Sequence, residues 1–143
     1  MTLAEVLERI DRERPGESTE EEKLRWLSQV DGQWYREMVL THEGAEETTF
    51  APYTTDGDKS VALLIAPPYD EVYIHFLYMQ TDQRLGEIDR YNNDAALYNQ
   101  GMLEARQAYN REHMPLQGSR LRNIFPIYDP PRDSNCLLYT SPS

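Results

Sequence analysis

Apolar residues recur at helical spacing along most of the chain. Leu3, Val6, Leu7 and Ile10 fall on one face of a first helix. Thr2 followed by Glu5 has the spacing of a capping box, in which hydroxyl and carboxylate satisfy free backbone N–H groups at a helix start. Pro15-Gly16 stops that helix. A second begins after Ser18 or Thr19, where Glu20, Glu21 and Glu22 suit the positive end of the helix dipole. Its stripe is Leu24, Leu27, Val30, Trp34 and Met38, widened by Trp26, Tyr35 and Val39, and it ends near Leu40. Gly32 lies inside it, at a cost of about 1 kcal/mol relative to Ala, and marks a bend or a close contact.

The pattern breaks from Thr41 to Ser60. His42-Glu43-Gly44, Pro52-Tyr53-Thr54-Thr55 and Asp56-Gly57-Asp58 are turn chemistry. Val61 to Ile65 reads as one short strand closed by Pro67-Pro68. A third helix follows. Tyr69, Val72, Tyr73, Phe76 and Leu77 form a dense face, and Ile74 and Tyr78 make it apolar nearly all round, so it is expected to be buried on two sides. It runs to about Leu85 or Tyr91. Asn92-Asn93-Asp94 reads as a break and new N-cap, and a fourth helix carries Ala95, Tyr98, Met102, Ala105 and Tyr109 before Pro115. The expected fold is mainly α: a bundle of about four helices with a loop and short-strand insertion, then an extended C-terminal arm. The helical domain spans 1–117. Residues 118–143 form an extended or disordered tail, with Arg120 and Arg122 ahead of a short extended stretch, Ile124-Phe125-Pro126-Ile127-Tyr128.

The 143 residues fit one domain with a modest core. Mean hydropathy is -0.75, and no apolar run approaches the roughly 18–20 residues of a membrane span. The N-terminus lacks the basic start and apolar stretch of a secretory signal, so a cytoplasmic protein is expected. Net charge is -11, and the first sixty residues hold 15 acidic against 7 basic side chains. So acidic a body repels phosphate and argues against general nucleic-acid binding. The charge suits solubility, or a surface that lies beside DNA without gripping it.

Candidate chemistry is sparse. His42, His75 and His113 fall in different elements and form no H-x-x-x-H pair; His75, between Ile74 and Phe76, reads as a packed side chain. Asp56-Gly57-Asp58 lacks the bidentate Glu of a calcium loop. Glu87 and Asp89 are ordinary on a polar helix. No phosphate-cradling glycine loop or nucleophile elbow is present. No catalytic, cofactor or metal residue is therefore assigned, and the chain is not expected to be an enzyme. Cys136 is the lone cysteine and cannot form an internal disulfide. The last eight residues, Cys136 to Ser143, resemble a translated sequencing adaptor, which places a divergence from the natural chain near Asp133. The aromatic residues fit helical core stripes, yet Tyr and Trp also suit protein interfaces. Trp34, Tyr53, Tyr73, Tyr98, Phe125 and Tyr128 are the candidate interface residues.

Three stretches are distinctive together: Glu22-Lys23-Leu24-Arg25-Trp26-Leu27-Ser28-Gln29-Val30-Asp31-Gly32, Pro67-Pro68-Tyr69-Asp70-Glu71-Val72-Tyr73, and Gly86-Glu87-Ile88-Asp89-Arg90-Tyr91-Asn92-Asn93-Asp94-Ala95-Ala96. With Tyr109-Asn110-Arg111-Glu112-His113-Met114-Pro115, they make residues 1–117 resemble a small protein of phages and prophages of gut Firmicutes, placed beside head–tail connector (adaptor) proteins. The resemblance implies a structural virion protein without cofactor or catalytic residues. It implies a homo-oligomeric ring beneath the portal, contacting portal and tail-completion proteins, with DNA passing nearby and no membrane partner. It would be found in the virion, and in the host cytoplasm during assembly. The loop of 41–60 and the segment after 114 would be arms reaching neighbours. The competing expectation is an acidic monomeric binding protein, a phage-encoded inhibitor of a host factor. A site assembled from distant residues, such as His75 with several carboxylates, is the enzymatic third.

Overall fold

A computed structural model describes residues 1–116. The arm expected over 118–143, with Phe125, Tyr128, Cys136 and the adaptor-like end, lies outside the described residues. The described residues are mainly α and hold four α-helices: α1 (Leu3–Glu13), α2 (Glu20–Trp34), α3 (Glu71–Leu85) and α4 (Ile88–Glu112).

Both expected helix starts are present. Thr2 and Glu5 form a complete capping box on α1, and Thr19 with Glu22 forms one on α2. Beyond Trp34 the helix continues as one π turn, Tyr35–Val39, closed by Leu40 N–H donating to Tyr35 C=O at 2.9 Å. A π turn inserts an extra residue into the helical phase, and Trp34, Met38 and Val39 are all buried. Gly32 is a site of close packing: a Cβ there would sit 3.4 Å from the Phe50 ring.

The expected strand at Val61–Ile65 is absent; among the described residues there are only isolated bridges, Thr2 with Ala62 and His42 with Pro115. The start of α1 explains this. Its first N–H groups have no partner within the helix, and Leu3 and Ala4 donate to the carbonyls of Val61 (3.0 Å) and Lys59 (2.8 Å). The segment is used as a cap, so it has no strand to pair with. Leu63 and Ile65 still drop into the core.

The third helix ends at Leu85 as expected, but the fourth starts earlier than expected, at Ile88. Gly86, with φ +76°, ends α3, and Asn92-Asn93-Asp94 run through the interior of α4. A left-handed glycine stops a helix without steric cost, whereas Asn and Asp inside a helix cost only tenths of a kcal/mol. The two helices form an antiparallel hairpin. Gly101 of α4 lies so close to Val72 of α3 that a Cβ would meet Val72 Cγ1 at 2.6 Å. The core gathers Leu3, Val6 and Ile10 from α1, Leu24, Leu27 and Val30 from α2, Val72, Ile74 and Leu77 from α3, and Met102 and Ala105 from α4.

Candidate functional site

Of the candidate interface residues, Trp34 and Tyr73 are buried in the core, and Tyr53 and Tyr98 are half-buried. Tyr98 packs on Phe76, with centroids 5.1 Å apart. Tyr53 and Tyr73 are brought together by Asp31 of α2, a residue not singled out from sequence. Tyr53 donates its hydroxyl to Asp31 Oδ2 at 2.5 Å, Leu64 N–H donates to the same oxygen at 3.2 Å, and Tyr73 donates its hydroxyl to Oδ1. Ile65 N–H in turn donates to the Tyr73 hydroxyl oxygen at 2.7 Å, and Tyr53 N–H donates to Ser28 Oγ at 2.9 Å. The stretch from Tyr53 to Ile65 is thus tied down on the bundle. Burial raises Asp31 above the usual carboxylate range, and the two tyrosines and Leu64 N–H oppose that by stabilising the charge. Burial, then the Asp31 charge, pushes both phenols far above their ordinary values. Asp31 had a legible signal: it follows Leu24 by seven and Leu27 by four, so it sits on the apolar stripe.

A second convergence lies at the C-terminal end of α4. His42 and His113, expected to stay apart, both pack on Tyr109. His113 stacks on its ring at 4.1 Å and His42 meets it edge-on at 5.2 Å. His42 is buried between the Thr41 hydroxyl (Nδ1 to Oγ1, 2.9 Å) and Asn110 (Nε2 to Oδ1, 2.5 Å). Thr41 donates its hydroxyl to the Glu37 carbonyl at 2.6 Å, and Asn110 Oδ1 accepts from His42 Nε2. Tyr109 also meets Trp34 edge-on, at 5.5 Å. Around these rings is a cavity of about 200 Å³, lined by Trp34, Leu64 to Pro67, Tyr69, Ala105, Ala108, Tyr109, Glu112 and His113. The Trp34 indole N–H is buried without an acceptor among the described residues. This lining can hold an apolar group bearing one acceptor. It has no serine, cysteine or lysine to serve as a nucleophile.

His75 is half-buried rather than enclosed; burial lowers its pKa. Among the described residues no group of three or more His, Cys, Asp or Glu is placed to hold a metal ion, and no helix is long and apolar enough to cross a membrane. No protein-family model matches the chain, and neither a curated protein nor a solved structure matches it.

Proposed function

We propose that the chain is a structural assembly protein of the head–tail connector kind, a subunit of a homo-oligomeric ring joining a portal to tail-completion proteins. The observation that carries this reading is the set of exposed apolar side chains along α4, which at 3.6 residues per turn stand on several sides of the helix. Ile88, Leu97 and Leu103 are 64%, 44% and 51% exposed, and Leu85 in the adjoining turn is 49% exposed. Burying such side chains between subunits gains about 25 cal/mol per Å² of apolar surface. With 25 residues, α4 is about 37 Å long at 1.5 Å per residue, a rigid rod that offers apolar side chains to neighbours on either flank.

Charge supports the same role. A chain of net charge -11 presents DNA with a repelling wall, so DNA passes a ring lumen without specific binding. Such a role needs no cofactor and no catalytic side chain, and it places the protein in the virion after assembly in the host cytoplasm.

The test is native mass spectrometry with negative-stain microscopy of the full chain, alone and mixed with a portal ring. Closed rings of one stoichiometry, lost in Leu103→Glu while its circular dichroism is unchanged, are expected. Monomers under both conditions would overturn the reading. Retrieval of a host nucleic-acid enzyme in place of a portal would replace it with the acidic inhibitor.

A further inference from the structure

Four charged side chains close on one point where α1, α3 and α4 meet. Asp82, in the last turn of α3, is 0% exposed. Arg14, the residue that caps α1, donates from Nη1 to Asp82 Oδ1 at 2.7 Å, and Arg90 Nε of α4 approaches the same oxygen at 3.6 Å. Neither arginine serves Oδ2, which is buried and meets no donor among the described residues. Asp94 of α4 is 7% exposed, and its carboxyl lies within hydrogen-bond reach of Asp82. The outer charges are Glu17, 3.8 Å from Arg14, and Glu87, 3.8 Å from Arg90; the Arg14 guanidinium also lies over the Tyr78 ring at 4.0 Å.

Two buried carboxylates side by side repel each other, and a buried oxygen without a donor is costly. A proton on Asp94 removes both problems, because the protonated carboxyl donates to Asp82. We propose that Asp82 and Asp94 form a proton-sharing pair that latches the tip of the α3–α4 hairpin, closed while the proton is held and slack once it is lost. The latch matters because Asp94 is the first buried residue of α4. The turns before it, Ile88 to Asn93, are exposed or half-exposed and have no buried apolar anchor.

Burial first, then the hydrogen bond and charge of Asp82, push Asp94 up to about 6, against the pull of Arg14 and Arg90. A carboxyl whose folded pKa is raised contributes stability that is complete below the unfolded value of 3.8 and is lost as pH rises through about 6. The hairpin tip is therefore firm at acid pH and looser in the neutral range. This device is independent of ring formation.

The experiment is a carboxyl-carbon NMR titration of the full chain, with amide exchange of the Ile88–Asp94 turns corrected for intrinsic rates. Asp94 is expected to titrate near 6 instead of 3.8, and protection of those turns to fall roughly tenfold between pH 5 and pH 8, since one pKa unit is a tenfold change in an equilibrium. In Asp94→Asn, whose amide can donate to Asp82 at every pH, protection stays flat. Asp94 titrating near its ordinary value, or the same pH dependence in Asp94→Asn as in the parent, overturns the proposal. If the variant fails to fold, the parent's titration decides alone.

Discussion

The hydroxyl of Tyr73 donates to the buried carboxylate of Asp31, joining the first turn of α3 to the interior of α2. The same hydroxyl accepts from Ile65 N–H, so one oxygen fixes two helices and the connecting segment. Tyr73→Phe removes a donor to a charged acceptor and orphans a buried N–H. It is expected to cost about 2–4 kcal/mol, in the range for losing a charge-assisted bond plus an unsatisfied group. Tyr53→Phe, at the half-buried end, should cost less, about 1–2 kcal/mol, and the pair should be non-additive because they share one carboxylate. Urea unfolding of the single and double variants measures this; a Tyr73→Phe chain as stable as the parent refutes the role of the network.

Gly101 sets the spacing of the hairpin. Gly101→Ala gains about 1 kcal/mol in helix propensity, yet its Cβ would press on Val72 Cγ1. Overpacking of this kind costs about 1–3 kcal/mol, so the net effect is destabilising or near zero. The informative variant is Val72→Ala combined with Gly101→Ala, which should recover part of the loss. Thermal melts of the single and double variants check that recovery; strict additivity would rule out the contact.

Gly86 ends α3 in the left-handed region. Gly86→Ala forces a Cβ into that conformation and should cost about 1 kcal/mol. Empty space around the position means that strain, not collision, is the cause. Gly86→Asn, which tolerates that region better, should lie between the two in denaturant midpoint.

Glu22 responds to acid. Its carboxylate accepts from Arg84, its principal partner, and from Thr19 N–H, and these hold it down at about 2, below the ordinary 4.5. A depressed folded pKa contributes stability that is present above 4.5 and is lost as pH falls through about 2. Glu22→Gln should therefore flatten the acid limb of the stability profile below pH 4.5, and high salt should shrink the difference because the pair is exposed. Circular dichroism melts between pH 2 and pH 5 at two ionic strengths test both statements.

Much of the fold was legible, and the reasons are local. Thr2 with Glu5, and Ser18 or Thr19 ahead of Glu20 to Glu22, signal helix starts because caps and first-turn charges involve only neighbours in sequence. The stripes of α1 and α2 predict their buried faces for the same reason. What was missed depends on partners far along the chain. Val61 to Ile65 has strand-like composition, but the N–H groups of Leu3 and Ala4 claim its neighbourhood. Asn92-Asn93-Asp94 offers cap chemistry, but Gly86 stops the earlier helix first and the Asp94 carboxyl goes to Asp82. Tyr73 and Tyr53 read equally well as core or interface, because the deciding group, Asp31, lies on another helix. The convergence of His42 and His113 on Tyr109 was invisible, since it needs the turn after α2 to meet the end of α4.

The cap on α1 has a consequence for the order in which the chain assembles. Carbonyls at Lys59 and Val61 complete the start of a helix that begins at Leu3. Before Lys59 and Val61 emerge in synthesis, α1 can form its capping box but leaves the N–H groups of Leu3 and Ala4 to water. Those two bonds need the whole α2 helix and the following loop to have emerged, since their acceptors lie beyond them in the chain. A helix start is thus completed by residues made well after it, and until then the Leu3, Val6 and Ile10 face is the surface a nascent-chain chaperone would meet.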